Sequence, residues 1–124
     1  LSRRDKYILS SVVYFYYLED HFRNDAAKAL LKDVAFVLEK HPHINLLLIG
    51  HTEKQDQKED FYQNLSKRRA QSVKTYLQKL GIDDKRLKTV GYGTTDPAAS
   101  NETAFGRIKN NRVKFVVLEK EGKD

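Results

Sequence analysis

The sequence predicts an α/β (α+β) fold ordered β-α-β-α-β-β. It reads as a two-layer sandwich, with helices packed on a mixed four-stranded sheet. Three observations carry this expectation. Ile44 to Ile49 is a nearly continuous apolar run, as in a strand buried on both faces. Two longer segments repeat apolar residues at helical spacing. Shorter stretches rich in β-branched and aromatic residues flank them.

Residues 7 to 17 hold such a stretch and predict the first strand. Asn24 or Asp25 then caps a helix carrying Ala27, Leu30, Leu31, Val34, Val37 and Leu38 on one face. His41-Pro42 ends it, because the residue before proline avoids helical angles. The apolar run follows and turns at Gly50. Residues 51 to 61 are polar and predict a loop into a second helix, Leu65 to Leu80, stopped by Gly81. Leu87 to Gly91 is a short strand. Residues 91 to 107 hold three glycines and Pro97, which predicts a long loop with a helical turn near Thr103. Val113 to Leu118 closes the sheet, and residues 119 to 124 read as frayed.

The 124 residues fit one domain, 1–124, and 40% hydrophobic content is enough for one compact core. Twenty-three Lys and Arg against 17 Asp and Glu leave a net charge of +6, which favours polyanions non-specifically. The charges are spread out, and the basic run Lys67-Arg68-Arg69 is short. The surplus therefore reads first as an ordinary mixed-charge surface. The absence of cysteine excludes disulfides, thiolate zinc sites and cysteine nucleophiles. No run approaches the roughly 18 apolar residues of a membrane span. No signal peptide opens the chain, and a start at Leu1 suggests a fragment of something longer.

No nucleophile elbow, P-loop or dinucleotide fingerprint occurs. Gly91-Tyr92-Gly93 reads as a turn. His41-Pro42-His43 lacks metal-ligand spacing, so neither a metal nor a cofactor is expected. The tyrosines at 14, 16 and 17 read as core and rim of a strand ahead of a base-stacking platform.

One residue stands out. In the second helix Leu65, Ala70, Val73, Tyr76, Leu77 and Leu80 share a face, and Arg69 lies inside that stripe. Arginine is almost never fully buried without a partner. Either its stem covers the core while its head reaches solvent, or its guanidinium awaits an anion. Ligands in α/β sheets sit beyond strand carboxyl ends, where Thr52 and Glu53 follow Gly50. A carboxylate and a guanidinium could share that cleft. Equally, Glu53 and Arg69 could form a structural salt bridge, and spacing alone leaves the two readings even.

These residues resemble the OmpA-like C-terminal domain, the peptidoglycan-binding module of outer-membrane porins and peptidoglycan-associated lipoproteins. Gly50-His51-Thr52-Glu53 and Leu65-Ser66-Lys67-Arg68-Arg69-Ala70 carry the resemblance, with Gly81-Ile82 and Gly91-Tyr92-Gly93. Pro97, Asn101-Glu102-Thr103, Gly106-Arg107 and Asn110-Asn111-Arg112-Val113 complete it over residues 12 to 118. The resemblance implies a non-catalytic module that grips diaminopimelate of the peptidoglycan stem peptide through Glu53 and Arg69. Thr52, Lys54, Tyr62, Asn64, Tyr17 and Arg112 are the secondary ligand candidates. It implies a periplasmic place, associated with the outer membrane, as the C-terminal module of a larger envelope protein. Partners would be peptidoglycan and other envelope proteins reached through further N-terminal modules. Nucleic acid and a direct membrane span are not expected.

The pattern departs from the family in places. Glu53 replaces Asp, and Lys54-Gln55-Asp56-Gln57 replaces a glycine-containing loop. The stretch to Leu65 is one residue longer. Tyr62 stands for an Asn, for which Asn64 could substitute or cap the helix. Asn111 stands for an Arg, and Phe15-Tyr16 lacks the usual acid. A wall-acting enzyme is the alternative, with Glu53 and Asp56 as available acids but no evident pair. A basic nucleic-acid binder ranks below it.

Overall fold

The computed structural model describes residues 1–119. The expected frayed end thus falls largely outside the described residues. Helix α1 (Arg3–Leu9) leads into strand β1 (Val12–Tyr14), then α2 (Asp25–Lys40) and β2 (Ile44–Gly50). Helix α3 (Glu59–Lys79), a 3-10 turn at Asp84–Arg86, β3 (Leu87–Gly91), α4 (Ala104–Asn110) and β4 (Arg112–Glu119) follow. The sheet order is β1-β4-β2-β3. Strands β1 and β2 run antiparallel to β4, and β3 runs parallel to β2. The expected strand–helix alternation and mixed four-stranded sheet are present; α1 is added, and the helical turn expected near Thr103 is helix α4.

The largest difference is at the start. Residues 3–9 are helical, so Tyr7, Ile8 and Leu9 do not join a strand. Ser2 and Asp5 form a capping box: Ser2 Oγ accepts from Asp5 N, and Asp5 Oδ2 accepts from Ser2 N. Asp5 also meets Lys40 Nζ and His41 Nε2, each at 3.0 Å, which docks α1 on the end of α2. These local and tertiary bonds override β propensity. β1 keeps only three residues, and Tyr16 and Tyr17 lie in the loop after it.

Asn24 caps α2 by accepting from Ala26 N at 3.0 Å. Helix α3 starts six residues before Leu65, with Glu59 and Asp60 in its first turn where the helix dipole favours acids. Asn64 is mid-helix and exposed, so it caps nothing. Thr103 caps α4 by accepting from Gly106 N at 3.0 Å. β2 is not buried on both faces. Ile44, Leu46 and Leu48 point into the core, whereas Asn45 and Leu47 are half-buried on the outer face of a two-layer fold.

The core joins Leu31, Val34 and Leu38 of α2 and Val73 and Leu77 of α3 to Val13, Leu46, Leu48, Val113 and Phe115 of the sheet. Two glycines let α3 approach the sheet at the carboxyl ends of its parallel strands. Gly50 and Gly91 are register partners, and a Cβ on Gly50 would collide with the Ser66 carbonyl. A Cβ on Gly91 would press on the Ser66 side chain and on Lys67. Ser66 Oγ in turn accepts from Gly93 N at 2.9 Å. This contact fixes where the next helical turn, with Arg69, meets the strand ends. Gly50→Ala is expected to destabilise the protein by about 1–3 kcal/mol or more, read from urea unfolding.

Candidate functional site

The chain continues past β2 with its backbone still paired. His51 N donates to the Arg112 carbonyl at 2.8 Å, and Thr52 N donates to the Gly93 carbonyl at 2.9 Å. Glu53 N then donates to Asn111 Oδ1 at 3.0 Å. These bonds hold residues 51–53 rigidly beside α3, and all three are buried.

Arg69 is completely buried. Its Nε donates to the Glu19 carbonyl at 2.7 Å and its Nη2 to the Tyr16 carbonyl at 3.0 Å. Its Nη1 donates to the His51 carbonyl at 3.0 Å and to Asn111 Oδ1 at 2.8 Å. Four of the five guanidinium N–H groups are thereby used. The plane lies over the Phe15 ring, with 5.3 Å between Cζ and the ring centroid. In the structure the head neither reaches solvent nor stands free. The guanidinium is closed by three backbone carbonyls and one amide oxygen. Burial lowers its pKa to about 10, opposed first by the field of Glu53, so it stays charged at neutral pH.

Glu53 is buried as well. Its Oε1 accepts from Asn111 Nδ2 at 2.8 Å, and its Oε2 accepts from Gln55 Nε2 at 2.6 Å. Arg107 Nε lies 3.4 Å from the same Oε2. Glu53 and Arg69 form no direct salt bridge. Asn111 stands between them: its Nδ2 donates to Glu53 Oε1 and the Arg107 carbonyl, and its Oδ1 accepts from Arg69 Nη1 and Glu53 N. One of the residues that depart from the family pattern is thus the joint of the site.

The other candidates divide. Thr52 is buried beside the network, and its Oγ1 has no hydrogen-bond partner. Lys54 turns away, with Nζ 3.2 Å from Glu59 Oε2 and its amide on Asn101 Oδ1. Arg112 is spent on the Asn110 and Asp96 carbonyls at 3.4 and 3.3 Å. Asn64 makes no contact with the network. Tyr17 and Tyr62 come together and line a cavity of about 130 Å³ with Leu18, Asp56, Lys58 and Phe61. Sequence reasoning missed Asn111, Gln55 and Arg107 as members of the network, and Leu18, Lys58 and Phe61 as cavity lining. The available signal was the polar loop after Glu53, from which Gln55 turns back onto it. No group of three or more metal-ligating side chains occurs among the described residues.

The family model described as the OmpA family matches residues 14–112, and the chain belongs to that family. It is 38% identical over 89 residues to the sodium-type flagellar protein MotY of Vibrio parahaemolyticus, covering 71% of this chain and 30% of that one. It is 36% identical over 102 residues to the peptidoglycan-binding protein ArfA of Mycobacterium tuberculosis, covering 77% of this chain and 31% of ArfA. The peptidoglycan-associated lipoprotein of Burkholderia pseudomallei superposes with a TM-score of 0.81 at 27% identity, covering 86% of this chain and 89% of that chain. The chain thus spans about a third of the length of these curated relatives.

Two outcomes test the local physics. Asn111→Ala strands buried groups on both Glu53 and Arg69 and is expected to cost about 3 kcal/mol or more, measured by denaturant unfolding. His51 is buried, and its pKa is lowered to about 4. Burial is the main cause, then the charges of Arg112 and Lys114, against weaker opposite pulls from Thr95 and Asp96. The unfolded chain therefore takes up a proton first. Stability should fall as pH drops from 6.5 towards about 4, by at most about 1.4 kcal/mol per unit. Asp5, whose carboxyl Lys40 holds far below its usual 3.8, adds its loss only below that pH. His51→Asn should flatten the slope between pH 6.5 and 4; an unchanged slope would assign it to another group.

Proposed function

We propose that this domain binds peptidoglycan non-covalently, without catalysis, through the diaminopimelate of the stem peptide. In that role it tethers an outer-membrane protein or envelope complex to the cell wall from the periplasm. The observation that carries this reading is the family match across the segment holding Glu53 and Arg69, shared with a relative named for peptidoglycan binding. The buried charges at the strand ends support it, because they set a fixed field around one cleft.

The end of the diaminopimelate side chain carries an ammonium and a carboxylate. A guanidinium holds a carboxylate with two parallel hydrogen bonds, which a lysine ammonium cannot match. Here the ligand reaches Arg69 by exchange. Its carboxylate takes the place of the Tyr16 carbonyl at Nη2, which carries one further unused N–H. Glu53 secures the cleft floor through Asn111 and faces the ligand with its negative field. Removing Gln55 from Glu53 would sacrifice a charge-assisted hydrogen bond worth about 1.5–3 kcal/mol. Affinity per site is then modest, roughly millimolar to micromolar. Many copies facing one polymer make such a hold sufficient.

The purified domain should pellet with insoluble peptidoglycan and be released by free diaminopimelate. Arg69→Ala, shown to be folded by circular dichroism, should stay in the supernatant. Arg69→Lys, which keeps a charge and three donors, serves if the alanine variant unfolds. A parent protein that stays soluble, or a folded Arg69 variant that pellets like the parent, overturns the reading.

A further inference from the structure

We infer that the free edge of β1 and the start of α2 form a second binding site. It takes an extended acidic segment of a partner protein as an added strand and seats one of its carboxylates on Arg23. A groove of about 240 Å³ lies between the edge of β1 and α2. Val12, Val13 and Tyr14 form its sheet side, and Ala27 and Leu30 its helix side. Arg23 lines it where the loop enters α2. No residue lining the groove belongs to the network around Glu53 and Arg69.

The edge is open. β1 is the outermost strand on its side of the sheet, with β4 as its one neighbour. In an antiparallel ladder, opposed pairs that exchange hydrogen bonds alternate with pairs that do not. Phe15 N donates to the Asn111 carbonyl at 2.8 Å, so Val13, two residues earlier, faces Val113 in the same way. Val12 and Tyr14 therefore turn their N–H and C=O groups away from the sheet, and no other backbone group among the described residues bonds to them. Folded proteins commonly blunt an edge with charge or a covering group. β3, the opposite edge, shows both: Lys88 is exposed within it, and Gln63 Nε2 donates to the Gly91 carbonyl at 2.6 Å. β1 reads Val-Val-Tyr and carries no charge. Its two outward residues give an added strand few main-chain bonds, so the groove and Arg23 supply the rest of the hold.

Arg23 selects the partner. Its Nε is buried without a hydrogen-bond partner, and its guanidinium is in no ion pair among the described residues. Glu19 and Asp20 of the same loop are engaged by His21 and Arg68 instead. The Arg23 Cζ lies 4.4 Å from the centroid of the Tyr16 ring. Such stacking uses the face of the guanidinium and leaves its donors for an acceptor. A buried unmatched donor is costly, and a carboxylate matches a guanidinium with two parallel bonds. No carboxylate lines the groove, and the amino-terminal end of α2 adds its positive dipole there. In strand addition, main-chain bonds give affinity and alternate side chains give specificity. Those that face the helix layer fall on Ala27 and Leu30, so apolar residues alternate with the acid.

The test selects displayed random octapeptides on the purified domain and then uses the synthesised enriched peptide as probe. Its sequence should hold Asp or Glu among β-branched residues. Replacing that acid by its amide should weaken binding about tenfold or more. Arg23→Gln should do the same with thermal unfolding unchanged. Val12→Pro removes an outward N–H at the first residue of an edge strand, where proline is tolerated, and should abolish binding. Bound peptide should protect the amides of Val12 and Tyr14 from hydrogen exchange. No enriched peptide, or one that binds Arg23→Gln and Val12→Pro as tightly as the parent, overturns the inference. Self-association of the parent that Val12→Pro removes assigns the edge to a second copy of the chain and also overturns it. Val12→Pro should still pellet with peptidoglycan, so the proposed function is tested separately.

Discussion

The end of the sheet is organised around a buried cation whose partners are mostly backbone. A guanidinium taken out of water is costly unless its donors are matched. Here carbonyls from residues 16, 19 and 51 and the Asn111 amide match four of them. These four groups come from three parts of the chain: the turn after β1, the extension of β2 and the residue just before β4. Removing the cation would leave several acceptors unpaired at once. Arg69 therefore fixes the relative positions of three segments, and Asn111 transmits that arrangement to Glu53 without a direct ion pair. The charge of Glu53 is held close to Arg69, yet each acid and base keeps a neutral amide between them.

This organisation explains the sequence spacing that drew attention to the region. Gly50 and Gly91 let Ser66 sit against the strand ends, and Arg69 follows one helical turn later beside the His51 carbonyl. The interval between Ser66 and Arg69 is thus a packing interval, set by the helix repeat. A glycine ending each of two parallel strands, a small residue on the helix above them, and a long cation one turn on make up one geometric unit.

Much of that unit was legible. Helical periodicity placed Arg69 among Leu65, Ala70 and Val73, and the strand-end argument placed Glu53 beside it. The central strand and the parallel strand at 87–91 were bounded nearly as found. What sequence could not give was the state of the guanidinium. Its acceptors are carbonyls as much as 53 residues away, and every residue offers the same carbonyl. Nothing in side-chain identity marks Tyr16 or Glu19 as a partner. Asn111 was visible only as a departure from a pattern; its role emerges when β4 brings it between two buried charges. The helix at residues 3–9 was missed for another reason. Tyr7, Ile8 and Leu9 have strand-like composition, and the opposing signal, Ser2 paired with Asp5, is a two-residue cap easily outweighed in a window of apolar residues.

A sealed guanidinium and a ligand-binding one are compatible when closure and binding have similar free energy. The turn that supplies two of its carbonyls contains Leu18 in a left-handed conformation, a strain of about 1–3 kcal/mol. A carboxylate that replaces the neutral Tyr16 carbonyl makes a hydrogen bond roughly twice as strong. It must give up its own hydration and order the peptide that carries it. In the proposed exchange these contributions oppose one another, which fits a modest affinity per site. Under the proposed function, a guanidinium closed in the absence of ligand and weak single-site binding go together. The guanidinium remains matched when no ligand is present. Such a site suits a partner that is polymeric and always nearby, because repeated weak contacts can hold a protein to a network while each one exchanges.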